Sequence, residues 1–375
     1  MSTGSGTHLP APARGQVYRA LYNATDFCSR QMLAEKCGIS IPTLSRYLTE
    51  LMDAGLIRYS GESRSTGGRR ARGLTVVPDA RFAVGISVTE QNVRIAAADL
   101  RLRELAYRLF SASSSALVAG DAPTLAQLLE GFLDANGLDR DKLLGVGVTL
   151  PGIISPDGGK ALMAPPLGLY DVPLDNLTRD IPYPVHVEND GSASGYAEWF
   201  SRGRSGNMAY ISLETGVGGA VLLEGVPYVG DHSRSGEFGH ICVEPGGLRC
   251  SCGKNGCLEA YCSARRIREE LDVSLADFFR GLELHAPDHE MLWFDMLRHL
   301  AIGINTVHMA LDSDVVLGGF LTEYMQPWLP TLKRYVAAGN PLGQNAEFVR
   351  LSTLRQNIAP LGAALHFVRE FIGKA

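Results

Sequence analysis

Four residues within eighteen positions constrain this chain more than any other feature: His240, Cys250, Cys252 and Cys257, spaced H-x9-C-x-C-x4-C. One imidazole and three thiolates suit a tetrahedral Zn²⁺ site, structural rather than catalytic because no ligand position is left vacant. Gly253 and Gly256 supply the sharp turns that bring three sulfurs around one ion. The competing reading is four buried residues without metal, and it gives no reason for three cysteines to crowd between glycines. The chain has seven Cys, four of them within residues 242–257. An odd, clustered set fits a reducing, cytoplasmic setting and a metal site better than a disulfide framework. Cys242 and Cys262, beside the cluster, and Cys28 and Cys37, near the other end, read as ordinary buried thiols. Glu237 lies three residues before His240 and Glu259 two after Cys257, so a metal would hold two carboxylates on one rigid loop.

Charge divides the chain into two parts. Residues 1–78 hold ten Arg/Lys against five Asp/Glu, a balance of +5; the whole chain stands at −5, which leaves −10 for the remainder. A basic small module joined to an acidic large one points to polyanion contact by the first. Residues 1–12 read as a tail without the apolar core of a secretory signal. Residues 13–78 hold three short helical patterns. The second is bounded by Ser29 as N-cap and Gly38 as stop, and the third starts at Ser40 with Pro42 in its first turn. Leu44, Tyr47, Leu48 and Leu51 give that third helix one apolar face, while Thr43, Ser45, Arg46 and Thr49 lie away from it. Small polar groups and one Arg near a helix start suit a helix in the DNA major groove. Two short strand patterns follow, around the turn-rich SGESRSTGGRRARG. This predicts a basic wing in which Arg64, Arg69, Arg70 and Arg72 meet phosphates or the minor groove. A solvated basic loop on a protein-contact module is the bland alternative.

From residue 79 to 375, strand and helix patterns alternate. FAVGISV and VRIAAADL, LLGVGVTLPG, PVHVEND, MAYISLETGVGGAVLLEG and DVVLGGF are apolar runs separated by Gly turns and helical stretches. They predict a two-lobed α/β body. The chain is 45% hydrophobic and 20% charged, which excludes wholesale disorder. No apolar run reaches about 18 residues, so no membrane span is expected.

Several of these segments resemble the ROK family (repressors, uncharacterised frames and sugar kinases), in particular its regulator branch. The wing carries Ser65-Thr66-Gly67-Gly68-Arg69-Arg70, similar to that branch's STGGRR. Val146-Gly147-Val148-Thr149-Leu150-Pro151-Gly152, residues 161–178 and Val187-Glu188-Asn189-Asp190 follow the family's pattern. So, most specifically, does Gly236-Glu237-Phe238-Gly239-His240 with the cysteine run through Glu259. The resemblance implies a two-lobed actin-like, hexokinase-type domain behind a winged helix-turn-helix, with ligand in the cleft between lobes. It also implies a sugar pocket of Asn189, Asp190, Glu237, His240 and Glu259, with Asp190 at the position of the kinase base. Acceptors around one cavity suit a polyhydroxylated ligand.

The sequence departs from the kinase pattern where ATP would sit. Gly85-Ile86-Ser87-Val88-Thr89-Glu90-Gln91 replaces a DxGGT-like loop, and Glu214 stands in a loop that otherwise resembles LGTGVGGG. Val315-Val316-Leu317-Gly318-Gly319 still resembles the adenosine-side loop. Lost glycines and added carboxylates oppose phosphate binding. On the sugar side, Pro166 and Leu169 replace a usual Asn and Trp. Few Arg or Lys fall near the pocket residues, which favours a neutral sugar. These features predict a cytoplasmic, sugar-responsive repressor without kinase activity. It would hold structural Zn²⁺, bind a palindromic operator as a homodimer or dimer of dimers, and take a sugar as effector. An active sugar kinase with a DNA-binding appendage, and a scaffold using its basic module for protein contacts, are the alternatives.

Overall fold

A computed structural model of the chain describes residues 13–64, 71–114, 117, 122–203, 205–343, 345–354 and 357–375. Arg69 and Arg70 lie outside these residues, and of the Arg64 side chain nothing is described.

The N-terminal module is three helices, α1 (Ala13–Tyr22), α2 (Arg30–Cys37) and α3 (Ile41–Asp53), followed by an antiparallel hairpin of β1 (Ile57–Arg64) and β2 (Ala71–Val76). Local chemistry sets these boundaries. The Ser29 hydroxyl accepts the Met32 N–H at the start of α2, and Gly38 closes that helix in the left-handed region. The Ser40 hydroxyl accepts the Thr43 N–H at the start of α3, with Pro42 in the first turn. Leu44, Leu48 and Leu51 then fall on one face and are fully buried in a core with Leu21, Leu33 and Leu56. Each such side chain contributes roughly 1.5–3 kcal/mol. Arg46, on the other face, is exposed.

Two five-stranded sheets form the large module. The first has the order β10-β6-β3-β4-β5, from β3 (Phe82–Val88), β4 (Val93–Asp99), β5 (Glu104–Phe110), β6 (Leu143–Leu150) and β10 (Val185–Asn189). The second has the order β13-β12-β11-β14-β15, from β11 (Met208–Leu213), β12 (Val217–Leu223), β13 (Val226–Pro227), β14 (Asp314–Gly318) and β15 (Val349–Leu351). Strand for strand the two match. Each has an antiparallel meander of three (β3-β4-β5, β11-β12-β13) with two parallel strands added beside its first member. The two lobes are thus one topology used twice. A small sheet of β7 (Ile153–Ile154), β8 (Lys160–Ala164) and β9 (Leu169–Pro173) extends the first lobe toward the cleft.

The helix Asp190–Ser201 and the C-terminal helix Ile358–Lys374 pack between the sheets. Their approach is close. A Cβ on Gly147 would lie 2.2 Å from the Ala363 carbonyl oxygen, and one on Gly362 would lie 2.0 Å from that of Ala193. Only glycine admits the C-terminal helix to β6 and to its neighbouring helix. The same C-terminal helix seats the N-terminal module. Tyr18 meets Phe371 edge-on at 6.1 Å, and Arg14 Nε donates to the Ala375 carbonyl at 3.4 Å. The Tyr22 hydroxyl bonds the Leu100 carbonyl while the Arg101 guanidinium lies 4.1 Å over the Tyr22 ring. The buried side chains of α1 and of the C-terminal helix belong to one continuous apolar cluster.

One buried carboxylate ties the helix Asp190–Ser201 to the chain beyond β15. Glu198, fully enclosed, pairs with Arg202 at 2.6 Å. It also accepts the Ser352 hydroxyl at 2.6 Å, the Thr353 N–H at 3.0 Å and the Leu354 N–H at 3.3 Å. Glu198→Ala would leave the partly buried Arg202 without its counter-ion and the Thr353 N–H without its acceptor, so urea titration of this variant should show a loss of about 3–5 kcal/mol.

Candidate functional site

The fold brings the four metal-type ligands together. The ligand atoms of His240, Cys250, Cys252 and Cys257 all lie within 4.8 Å of one another. Sγ of Cys252 and Cys257 are 3.7 Å apart. Tetrahedral Zn²⁺ with bonds of about 2.3 Å requires sulfur–sulfur edges of about 3.8 Å, so the donor set fits that ion. Cys250 Sγ lies 3.8 Å from Nδ1 of His240. Nδ1 is therefore the nitrogen turned to the sulfurs, and Nε2 points the other way, 3.9 Å from Glu237 Oε2. Cys262 is buried at a distance from this group, whereas Cys242 is exposed. Cys242 was expected to be buried but is exposed, its backbone pairing with that of Cys257.

The five sugar-site positions inferred from resemblance fall into two groups. Glu237 and His240 line a cavity of about 510 Å³ with Ile153, Leu162, Met163 and Arg234. Asp190 begins its helix, its carboxylate accepting the Gly191 N–H at 2.8 Å. Burial above all, then the charges of Glu214 and Glu237, pushes Asp190 up to about 7. A carboxyl raised in this way is populated in both protonation states near neutral pH. Burial also pushes the neighbouring Glu188 up to about 8.

Asn189 and Glu259 have work of their own. Asn189 Oδ1 caps the helix through the Ser192 N–H at 2.8 Å, and its Nδ2 donates to the Gly152 carbonyl at 2.8 Å. Its amide fixes the β10-to-helix corner against the β6–β7 turn, so it positions Asp190. Glu259 Oε2 accepts the Val217 N–H at 3.1 Å and Oε1 accepts the Ser251 hydroxyl at 2.8 Å. It links the cysteine loop to the start of β12. Sequence reasoning missed Arg234, having expected a pocket poor in cations. Its place three residues before Glu237, on the same loop, was the available signal.

On the other side of the cleft, the β3–β4 turn closes on itself. The Thr89 N–H and hydroxyl both donate to the Asn92 carbonyl, at 2.9 and 3.0 Å, and the Asn92 N–H donates to the Thr89 hydroxyl at 3.1 Å. These donors are spent within the turn. Glu214, at the end of β11, stacks its side chain against Gly319, where a Cβ would come within 2.8 Å of Glu214 Cγ. Its carboxyl is raised by burial and lowered in part by Arg94 across the cleft.

In the DNA-facing module, Thr43 spends its hydroxyl on Ser40 at 2.9 Å, and the Thr49 hydroxyl donates to the Ser45 carbonyl at 3.1 Å. Arg46 is held only loosely, 4.0 Å from Glu50 and 5.0 Å from the Tyr47 ring centroid. Ile41, at the start of the same helix, is 46% exposed and offers an apolar contact of the kind thymine methyls take. Among the described residues no helix is long and apolar enough to cross a membrane.

Comparison with known proteins matches residues 84–370 to the model described as ROK family, and residues 17–58 to a winged helix-turn-helix DNA-binding model. The chain is similar to a xylose repressor of Bacillus subtilis (strain 168), 29% identical over 357 residues, covering 92% of each protein. It is also similar to a glucokinase of Halalkalibacterium halodurans, 38% identical over 265 residues, covering 64% of this chain and 80% of that one. Among solved structures, a ROK family transcriptional regulator, homologous to the E. coli MLC protein, aligns with a TM-score of 0.75 at 21% identity, covering 96% of both chains.

The donor geometry makes a direct prediction. Metal analysis of the purified chain should find about one zinc per chain, and Cys252→Ser should lose it together with several degrees of melting temperature. Undiminished zinc in that variant would remove Cys252 from the ligand set.

Proposed function

The chain belongs to the ROK family, and from that premise we propose that it is a sugar-responsive, DNA-binding transcriptional repressor whose kinase-like body has become a receptor. The observation that carries this reading is the union of a winged helix and a two-lobed sugar-kinase-like body through one shared core. The repressor relative spans the same arrangement from end to end, whereas the glucokinase relative, though higher in identity, leaves about a third of this chain unmatched.

Loss of kinase activity is part of the proposal. The β3–β4 turn keeps its donors to itself, and Ser87 stands where the family's kinases carry a phosphate-site Asp. Glu214 sets a carboxylate beside Gly319. Where that carboxyl is ionised it would repel a triphosphate, offset in part by Arg94 across the cleft. The sugar side keeps its acids by contrast, although Pro166 and Leu169 stand where the family usually carries Asn and Trp. Asp190 and Glu237 offer acceptors to hydroxyl groups, and Nε2 of His240 faces the same space while Nδ1 serves Zn²⁺. Bound, the ion would lock the loop that carries His240 and, through Glu259, the start of β12; it supplies rigidity and no chemistry.

A sugar in the cleft draws the lobes together. Because α1 rests on the C-terminal helix, the winged helix follows the first lobe. In a cytoplasmic homodimer the two winged helices would change their spacing on a palindromic operator. A differential affinity of about 1–3 kcal/mol for one lobe arrangement suffices for a 5–150-fold change in operator binding. Arg46 on α3, with Thr43 and Ser45 beside it, would read bases; Arg64, Arg69 and Arg70 of the wing would contact the backbone or minor groove.

Fluorescence anisotropy with the DNA upstream of the chain's own gene tests this. Specific binding should weaken steeply with salt and be lost by about 1–3 kcal/mol in Arg46→Ala, with sugar-induced melting shifts retained. With ATP and a hexose panel the chain should show no turnover in the kinase range of about 1–100 s⁻¹. Turnover there would reinstate the kinase.

A further inference from the structure

Arg234 sits between β13 and the cysteine loop, on a segment folded into a closed turn. The Ser235 N–H donates to the Val229 carbonyl at 3.1 Å and the Ser233 N–H to that of Gly230 at 3.4 Å. Ser233 is held at φ 55°, a left-handed conformation that non-glycine residues adopt at a cost. This backbone places Arg234 on the wall of the cavity that Glu237 and His240 also line. The opposite wall is apolar, with Ile153, Leu162 and Met163.

Arg234 has no partner. Among the described residues it makes neither a hydrogen bond nor an ion pair, although Glu237 lies three residues on. The cavity therefore displays an exposed guanidinium for which, among the described residues, the chain supplies no acceptor. A guanidinium offers five N–H groups in a fixed fork that matches two oxygens of one phosphate or carboxylate. Glu237 offers the cavity an acceptor for hydroxyl protons, whereas the guanidinium of Arg234 makes its strongest, two-pronged bonds to an anionic group rather than to a neutral hydroxyl.

We propose that Arg234 makes this cleft selective for a sugar that carries an anionic substituent, a phosphate or a carboxylate, with the guanidinium gripping that group while the acids hold the ring hydroxyls. The inference rests on the reading of the cleft as a sugar site. It reverses the expectation of a neutral ligand drawn from the scarcity of Arg and Lys.

Calorimetric titration of the full chain with glucose and galactose, their 6-phosphates, and glucuronate and galacturonate tests it. At least one anionic form should bind about tenfold or more tightly than its neutral parent, with a preference that shrinks as salt rises. Phosphate above uronate, or the reverse, identifies the group recognised. In Arg234→Ala that preference should collapse to within about twofold, and Arg234→Lys, which keeps the charge but not the fork, should retain part of it. Neutral sugars bound as tightly as their anionic forms by the natural chain, or a preference undiminished in Arg234→Ala, would overturn the role of Arg234 and leave the sugar receptor standing. Binding of none of the six would remove both.

Discussion

The close contact of the C-terminal helix with β6 and with the helix Asp190–Ser201 is the constraint on which the rest depends. It exists because Gly147 and Gly362 leave no Cβ in the way of two carbonyl oxygens. From that contact follow the seat of the winged helix, through Tyr18 and Phe371, and the fixed position of Asp190 at the cleft. A methyl group at either glycine would push the helix outward. The effect would then reach the DNA-binding end and the ligand-binding end together, because one element serves both.

At the cleft, two loops have taken different courses on a repeated topology. The loop after β13 keeps a ligand-facing acid and the metal-type cluster, with His240 turned so that one nitrogen serves each. The turn after β3 and the end of β11 have closed in on themselves. A kinase must stabilise charge that develops on a transferring phosphoryl group, while a receptor need only tell one lobe arrangement from another. On the proposed reading, the second task would survive loss of a phosphate cradle and the first would not.

Much of this was legible in the order of residues. Leu44, Leu48 and Leu51 announce the buried face of α3, Ser40 its start, and Ser29 and Gly38 the ends of α2, because capping and amphipathic spacing are local. The cysteine cluster was legible because its ligands lie on one short loop. What escaped was set by distance. Nothing in the first thirty residues announces that Arg14 will meet Ala375. The END motif names Asn189 without revealing that both ends of its amide are committed to a cap and a tether. Cys242 reads as a buried thiol but is exposed, its backbone paired with that of Cys257. Arg234 was passed over because the wall it shares a cavity with is built from Ile153, Leu162 and Met163, 71 to 81 positions earlier.

The core shared by α1 and the last turns of the chain has a consequence at long range. Residues such as Phe371 lie some three hundred positions from the recognition helix and touch no nucleic acid, yet they hold up the module that does. Substitutions there would therefore loosen the N-terminal module as damage within α1 would, with the cleft untouched.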